Sequence, residues 1–162
     1  MPEPDFQHIV VELKTLPVDQ NFRPKESTYV CTVPLIRNAS AIWETSTVKL
    51  KLSRVLLVLI EAQATIPLSQ RRIGEPFIWS PDSQEEDELR TDWQELMDMI
   101  CMGELEKVNA RQGKYLQIRP KAANARALSK TTIESGGSGV SLPRGFYLRP
   151  VFTEMLIKNQ AN

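Results

Sequence analysis

The segment that most constrains the fold is a run of six apolar residues at 55–60, Val-Leu-Leu-Val-Leu-Ile. It has the length of a strand, yet it lacks the alternation of apolar and polar residues that marks a half-buried strand. Such a run is typical of a strand in the middle of a sheet that is covered on both faces. The run therefore predicts a central strand buried on both faces.

Alternation predicts another strand over residues 8–15, with Ile9, Val11 and Leu13 on one face and Glu12 and Lys14 on the other. Shorter apolar stretches predict further strands at 29–33, 114–119 and 145–149. Residues 44–52 are ambiguous and could form a short helix, whereas the Gly/Ser-rich stretch 135–139 predicts a flexible loop.

The clearest helix is predicted over residues 82–102. Ser80 is a candidate N-cap with Pro81 in the first turn, and Gly103 is a natural stop. The apolar residues recur every three or four positions, at Leu89, Trp93, Leu96, Met97 and Ile100. We interpret the many acidic residues here as a helix start and a solvated face, not as a metal cluster. Together these elements predict a mixed α/β domain with about five strands and one long helix against the sheet.

Histidine and cysteine usage restricts the chemistry that the chain can perform. The sequence holds one histidine, His8, and two cysteines, Cys31 and Cys101, which is too few for a Cys/His zinc site. A serine or cysteine hydrolase would have to use His8, which has no supporting motif. Without an export signal, both cysteines are expected to be buried thiols. A metal would be held mainly by oxygen, which suits Mg²⁺ or Mn²⁺.

Charge is distributed unevenly along the chain, although the formal net charge is zero. Residues 61–106 carry 3 basic and 12 acidic side chains, and residues 107–162 carry 10 basic and 2 acidic ones. The basic final third favours binding to a polyanion such as nucleic acid. The alternative is that the acidic and basic segments face each other or are simply solvated.

Asp5, Glu12 and Lys14 form an Asp-x₆-Glu-x-Lys pattern. Glu12 and Lys14 lie two apart on a predicted strand, so their side chains share a face about 7 Å apart. Two carboxylates can hold Mg²⁺ against a phosphodiester, and the lysine can orient or deprotonate a water or neutralise developing charge. This is the pattern of a metal-dependent nuclease. The alternative is an ordinary Glu/Lys pair on the outer face of a strand.

Longer motifs give the chain a specific resemblance. They are Val-Glu-Leu-Lys-Thr at 11–15, Trp-Glu-Thr-Ser at 43–46, Ile-Pro-Leu at 66–68, Gln-Arg-Arg at 70–72, Asp-Trp-Gln-Glu-Leu-Met-Asp-Met-Ile at 92–100, Tyr-Leu-Gln-Ile-Arg-Pro-Lys-Ala-Ala-Asn-Ala at 115–125 and Leu-Pro-Arg-Gly-Phe-Tyr-Leu at 142–148. The sequence resembles the MutH family of bacterial mismatch-repair endonucleases from about Asp5 to Phe152. The resemblance implies a restriction-endonuclease-like α/β fold with a mixed sheet flanked by helices. It also implies a Mg²⁺-dependent (Mn²⁺ being an alternative) enzyme of the bacterial cytoplasm, which nicks the unmethylated strand of double-stranded DNA at hemimethylated GATC sites and is activated by MutL.

The resemblance also implies roles for individual residues. Asp5 and Glu12 would be metal ligands together with the main-chain carbonyl of Leu13, and Lys14 and Lys51 would be catalytic lysines. The DNA-binding residues would be Tyr29, Arg119, Pro120, Lys121 and Tyr147. Tyr147 would sense the adenine amino group and reject a methyl there, by a clash and a lost hydrogen bond. Without the family, Arg119 and Lys121 could be phosphate contacts or solvated, and Tyr147 could be a core aromatic.

The predicted organisation is one nuclease domain over 1–162, with the catalytic strands in 1–80 and a basic DNA-reading part in 107–150. Family members carry a helical segment before the catalytic Asp, with a further glutamate beside the metal, and this sequence opens at Met1. The alternative function is therefore a shortened module that binds GATC DNA or MutL without cutting. A restriction enzyme for unmethylated GATC is a third hypothesis, and it predicts cutting of both strands.

Overall fold

The computed structural model describes residues 3–34, 40–109, 111–121, 129–132, 138–141 and 143–161, with 129–132 and 138–141 described by their backbone. These residues contain eight strands: β1 (Glu12–Val18), β2 (Thr28–Thr32), β3 (Val55–Glu61), β4 (Phe77–Trp79), β5 (Leu116–Pro120), β6 (Ser129–Thr132), β7 (Ser138–Ser141) and β8 (Arg144–Leu148). They also contain three α-helices: α1 (Thr47–Leu52), α2 (Ser83–Cys101) and α3 (Pro150–Gln160). None of the helices in the described ranges has the length and apolar character needed to cross a membrane.

The strands form two three-stranded sheets and one hairpin. In the first sheet β3 lies between β1 and β4, parallel to β1 and antiparallel to β4. In the second sheet β8 lies between β2 and β5, antiparallel to both, and β6 pairs with β7. The prediction of a single sheet of about five strands is wrong, because β2 and β5 hydrogen-bond to β8 and not to the first sheet. The apolar patterns identify the strands, but they carry no information on which strands pair.

The apolar run at 55–60 forms the middle strand of the first sheet, as predicted. Its two faces are not covered equally: Val55, Leu57 and Leu59 are buried, whereas the residues between them are half-buried. The prediction of burial on both faces is therefore wrong for the second face, because the described core lies against the face that carries Val55, Leu57 and Leu59.

The start of β1 differs from the prediction. Residues 7–9 form a 3₁₀ turn, Val10 adopts a left-handed conformation with φ 53°, and the strand begins only at Glu12. Phe6 and Val11 exchange backbone hydrogen bonds of 2.9 and 3.2 Å, which close this turn. As a result the predicted apolar face is wrong: Leu13 is exposed, and the inward face of β1 carries the buried Glu12 and the half-buried Lys14.

Helix α2 begins at Ser83, close to the prediction, but its N-cap is Asp82 and not Ser80. The Asp82 carboxylate accepts from the Glu85 amide and the Glu85 carboxylate accepts from the Asp82 amide, which is a reciprocal capping box. Because this box fixes the first turn, Pro81 lies outside the helix. The predicted apolar face is confirmed, since all five of its residues are buried. Gly103 follows the helix with φ 76° and ends it as predicted.

The remaining predicted elements are found close to their expected positions. Residues 43–45 form a 3₁₀ turn and α1 follows, capped by the Ser46 hydroxyl, which accepts from the Lys49 amide. Of the loop predicted at 135–139, residues 135–137 lie outside the described residues. Ser138 and Gly139 belong to β7, so that part of the loop prediction is wrong, because their backbone pairs with β6.

Helix α3 joins the two sheets through aromatic packing. Phe152 is fully buried, stacks on Tyr115 with ring centroids 4.5 Å apart, and meets Trp79 edge to face at 5.6 Å. Trp79 ends β4 of the first sheet, and Tyr115 directly precedes β5 of the second sheet. Burying one such side chain contributes about 1.5–3 kcal/mol. These contacts fix the relative position of the two sheets and of the surface between them.

Candidate functional site

Glu12 is the centre of a buried charge cluster at the start of β1. Its Oε1 lies 2.8 Å from Lys14 Nζ and its Oε2 lies 2.8 Å from Lys51 Nζ. The side chains of Glu12, Lys14 and Lys51 are 5%, 11% and 13% exposed, so the three charges interact with little screening by solvent. Lys51 also donates to the Glu3 carbonyl at 2.7 Å. Both carboxylate oxygens of Glu12 are therefore paired, as a buried charge requires.

Local structure brings these three residues together. Glu12 and Lys14 are i and i+2 on β1 and share the inward face of the strand. Lys51 lies in the last turn of α1, where a cation is favoured by the helix dipole. The chain passes directly from α1 into β3, and Val55 of β3 lies beside Glu12 in the parallel register. This short connection places Lys51 next to a carboxylate 39 residues earlier in the sequence.

Asp5 is held beside the cluster by the turn that precedes β1. Its Oδ2 accepts a hydrogen bond from the Leu13 amide at 2.8 Å. This contact spans the closed turn between Phe6 and Val11 and brings the carboxylate to the backbone between Glu12 and Lys14. The structure thus brings together all five residues predicted from the nuclease pattern and the resemblance, namely Asp5, Glu12, Leu13, Lys14 and Lys51.

The donor chemistry at this place fits a hard divalent cation. The carboxylates of Asp5 and Glu12 and the carbonyl of Leu13 offer oxygen ligands, and Mg²⁺ commonly uses only one or two protein carboxylates and completes its shell with water and phosphate. Within the described ranges no three His, Cys, Asp or Glu side chains converge on one point. The protein ligands here would therefore be two carboxylates and one carbonyl.

Cys31 lies beside this cluster but is no nucleophile. It is buried on β2, and this burial raises the pKa of its thiol to about 11, while Lys14 and Lys51 act in the opposite direction. The thiol is therefore protonated at neutral pH, and the thiolate is the reactive form. Neither Cys31 nor Cys101 forms a disulfide. The prediction of a buried thiol is confirmed for Cys31, whereas Cys101 is only half-buried because it lies in the last turn of α2.

A second group of predicted residues lies on the β2–β8–β5 sheet. Tyr29 and Tyr147 are directly opposite each other on β2 and β8, and their rings meet edge to face with centroids 5.5 Å apart. Lys121 Nζ lies 5.2 Å from the centroid of the Tyr29 ring and donates to Thr32 Oγ1 at 3.1 Å. The Tyr29 hydroxyl shares a 3.1 Å hydrogen bond with the same Thr32 oxygen. Tyr147 is half-buried, which differs from the core aromatic that the sequence alone left open as an alternative.

Arg119 is oriented by a residue that sequence reasoning missed. Ser27 Oγ accepts from Arg119 Nη1 at 3.2 Å and from Gln117 Nε2 at 2.6 Å. Arg119 and the neighbouring Pro120 are otherwise exposed at the end of β5. No sequence signal points to Ser27, because it lies 92 residues from Arg119 and in no motif.

One open cleft of about 560 Å³ connects the two groups. Its lining includes Leu13 and Lys14 from the first sheet and four predicted DNA-binding residues from the second sheet, namely Tyr29, Arg119, Pro120 and Tyr147. The cleft therefore exposes a lysine of the charge cluster on one side and tyrosine, arginine and proline side chains on the other.

Asp92 supports the strand that carries Arg119, and it too was missed. It is buried in α2, and its carboxylate accepts hydrogen bonds of 2.7–2.9 Å from three successive amides, those of Lys114, Tyr115 and Leu116. These amides lie at the entry to β5, so one carboxylate anchors that strand to the helix. A sequence signal existed: Asp92 lies three residues after Leu89 and four before Leu96, and therefore on the apolar stripe.

Comparison with known proteins gives one consistent result. A family model described as "DNA mismatch repair enzyme MutH" matches residues 1–92. The DNA mismatch repair protein MutH of Escherichia coli O139:H28 (strain E24377A / ETEC) is 53% identical over 156 residues, covering 96% of this chain and 68% of that protein. The proteins of the same name from Escherichia coli O9:H4 (strain HS) and strain K12 / DH10B match to the same extent.

Proposed function

The chain belongs to the MutH family of DNA mismatch repair enzymes, and on that premise we propose that it is a Mg²⁺-dependent endonuclease that nicks the unmethylated strand at hemimethylated GATC sites. The family relationship confirms the resemblance carried by the sequence motifs. The same relationship gives the chain a restriction-endonuclease-like α/β fold. The activity class of its family is DNA endonuclease.

The observation that carries the proposal is the shared cleft. Lys14 lies on one side of it, in contact with Glu12, and Arg119 and Tyr147 lie on the other. A DNA duplex in this cleft would present a phosphodiester to the charge cluster while base edges face the second sheet. Cleavage and recognition would then act on the same short stretch of DNA.

Asp5, Glu12 and the Leu13 carbonyl would hold Mg²⁺, which supplies positive charge to the scissile phosphate and lowers the pKa of a bound water. Glu12 is already held by two lysines, so its carboxylate is oriented before substrate arrives. Lys14 reaches the cleft and would orient or deprotonate the attacking water. Lys51, held by Glu12 and the Glu3 carbonyl, would neutralise charge that develops on the phosphate.

Recognition would come from the second sheet. Arg119 and Lys121 are long cations of the type that can bridge guanine O6 and N7 in the major groove, and Pro120 between them is the last residue of β5. Tyr147 would pack against the adenine edge, and an N6 methyl would then clash and remove a hydrogen bond. Tyr29, braced by Lys121 and Thr32, would contact DNA beside it. We propose MutL as the activating partner.

A nicking assay tests this function. The purified chain is incubated with Mg²⁺ and a plasmid carrying one hemimethylated GATC, with and without MutL and ATP, and the cut strand is identified. We expect cutting on the unmethylated strand only. Glu12→Ala and Lys14→Ala should abolish nicking and leave DNA binding largely intact. The matched controls are Glu95→Ala and Lys158→Ala, which change exposed residues outside the cleft and should nick normally.

Each contrary result identifies a different error. Cutting of both strands would favour a restriction enzyme, and binding without cutting would favour a DNA-reading module. Nicking by Glu12→Ala and Lys14→Ala at the rate of the parent chain would show that the cluster around Glu12 is not the catalytic centre.

A further inference from the structure

Gly145 lies beneath the tyrosine pair of the cleft. It belongs to β8, is buried, and lies opposite Thr32 of β2 and Arg119 of β5 in the sheet register. A Cβ atom at this position would come 2.9 Å from Cε2 of Tyr29 and 3.0 Å from Cε2 of Tyr147. The first distance is shorter than real Cβ atoms show and the second is tighter than most Cβ contacts, so at least one ring would have to shift to admit a side chain.

Position 145 requires glycine because the tyrosine rings leave little room for a side chain, and not because of its backbone conformation. Its φ lies outside the left-handed region, so other residues could adopt the same backbone. Gly145 and Tyr147 are i and i+2 on one strand and share a face, and Tyr29 reaches the same face from β2. The missing side chain therefore leaves the volume that the two ring edges occupy.

The rings cannot move aside freely if that volume is filled. Tyr29 is held at its hydroxyl by Thr32 and at its face by Lys121, and Tyr147 meets Tyr29 edge to face. Both tyrosines line the cleft, so the direction left open to them is outward, into the space for DNA.

We propose that Gly145 is a specificity-determining position, which sets how far the Tyr29–Tyr147 pair projects into the cleft and thereby how closely Tyr147 approaches an adenine edge. This inference rests on the proposed function, because it assigns a positioning role within the same recognition surface. A methyl group at position 145 would push the rings outward. Affinity for an unmethylated duplex would fall, whereas a methylated duplex is already disfavoured and would lose less.

The test is Gly145→Ala, measured as DNA discrimination. Dissociation constants are determined by fluorescence anisotropy for duplexes with a single GATC that is unmethylated, hemimethylated or N6-methylated on both strands. One methyl group more or less in a tight pocket is worth roughly 10- to 200-fold in discrimination. We therefore expect the ratio of the dissociation constant for the fully methylated duplex to that for the unmethylated duplex to fall about tenfold.

Ring movement can be observed without DNA. The chain has three tyrosines, so ¹³C labelling of tyrosine rings gives three sets of NMR signals. Gly145→Ala should shift the signals of Tyr29 and Tyr147. The signals of Tyr115, which stacks on Phe152 in the core, should stay in place and report that the fold is intact.

Two further variants separate positioning from loss of stability. Gly74→Ala is the matched control, because its Cβ would lie 3.0 Å from Leu59 Cβ beside the first sheet, away from the tyrosines. It should reduce the melting temperature without changing discrimination. In a Tyr29→Ala background the closer of the two contacts is removed and the Tyr147 ring can shift into the vacated space, so Gly145→Ala should cause little further loss of discrimination. If Gly145→Ala alone does not fold, the double variant still tests whether position 145 acts through the tyrosine pair.

The outcomes distinguish this inference from the proposed function. A parent chain that binds methylated and unmethylated duplexes equally would overturn the role of Gly145 in binding, whereas the proposed function is overturned only by the nicking assay. A parent chain that discriminates, together with a Gly145→Ala variant that discriminates equally well, would overturn only the role of Gly145. An undiminished effect of Gly145→Ala in the Tyr29→Ala background would show that the glycine does not act through that ring.

Discussion

At the scale of single residues, the candidate site depends on a few side chains whose environment differs from their local pattern. Glu12 reads as a polar residue on the outer face of a strand, yet it is buried between two lysines. The spacing of Glu12 and Lys14 predicts their contact, because i and i+2 share a face. No spacing rule predicts the contact of Lys51 with Glu12, because it depends on how α1 leads into β3. Only the family resemblance pointed to Lys51.

Val10 carries backbone strain next to the candidate metal ligands. Its φ and ψ are both 53°, a left-handed conformation that is rare for a β-branched residue and costs roughly 1–2 kcal/mol. Glycine would remove this cost but add about 0.5–1 kcal/mol of unfolded-state entropy. Val10 is 48% exposed, so little packing is lost. We expect Val10→Gly to raise the free energy of unfolding by up to about 1 kcal/mol, measured by urea denaturation.

The matched control for this prediction is Ile9→Gly, one residue earlier in the same turn. Ile9 is 61% exposed and has no positive φ, so glycine there should destabilise the chain. Equal effects of the two substitutions would mean that the strain at Val10 is not relieved by glycine.

At the scale of secondary-structure elements, α2 does more than its sequence pattern indicates. Periodicity predicted its length and its buried face, because five apolar side chains recur at helical spacing. It could not predict the division into two sheets, because strand pairing depends on contacts between distant segments. It also did not show that Asp92 on the apolar stripe anchors β5.

Asp92→Asn should therefore destabilise the chain and loosen the entry to β5. An amide offers one oxygen and places an NH₂ group against backbone donors, so buried hydrogen bonds to a charged group are lost. We expect a loss of about 2–3 kcal/mol in the free energy of unfolding. Asp98→Asn, on the exposed face of the same helix, should stay within about 0.5 kcal/mol of the parent chain. Hydrogen exchange should quicken at the amides of Lys114, Tyr115 and Leu116 in Asp92→Asn, and unchanged protection there would contradict the anchoring role.

Glu86 connects α2 to the helix that carries Lys51. Its Oε1 lies 2.9 Å from Lys49 Nζ of α1 and accepts from Trp43 Nε1 at 3.2 Å. The bond from Lys49, followed by that from Trp43, lowers the pKa of this carboxyl below its ordinary value of 4.5. A lowered folded-state pKa stabilises the folded chain above the unfolded-state pKa, and this stabilisation disappears as the pH falls through the folded-state pKa.

Glu86→Gln should consequently destabilise the chain at pH 7 by less than about 1 kcal/mol, because the pair is partly exposed to solvent. The difference from the parent chain should vanish in acid. Melting temperatures between pH 3 and about pH 7 measure this difference. A difference that persists unchanged at the lowest pH would show that the ion pair is not its source.

At the scale of the whole molecule, net charge conceals the distribution that matters for DNA. Seven of the 12 acidic residues in the segment 61–106 lie in α2. Part of their charge is neutralised internally, as in Glu88 with Lys114 and Glu86 with Lys49. Lys14, Arg119 and Lys121 instead line or border the cleft. The sequence indicated a basic final third but not this arrangement, because the cleft forms only when residues 13–17 of the first sheet meet Tyr29, Arg119 and Tyr147 of the second sheet.

DNA binding should therefore depend steeply on salt although the formal net charge is zero. Each phosphate neutralised by a lysine or arginine contributes about −0.9 to the slope of log K against log salt on duplex DNA. Lys121→Ala should make the slope less negative by about 0.9 if its ammonium meets a phosphate. Lys158→Ala removes the same charge from α3, where the ammonium pairs with Glu154 outside the cleft, and should leave the slope unchanged. Anisotropy titrations between about 50 and 200 mM salt measure both slopes. Identical slopes for the two variants would mean that the Lys121 ammonium neutralises no phosphate and would leave the base contact as its role, whereas a loss confined to Lys121→Ala would place the phosphate backbone beside the tyrosine pair.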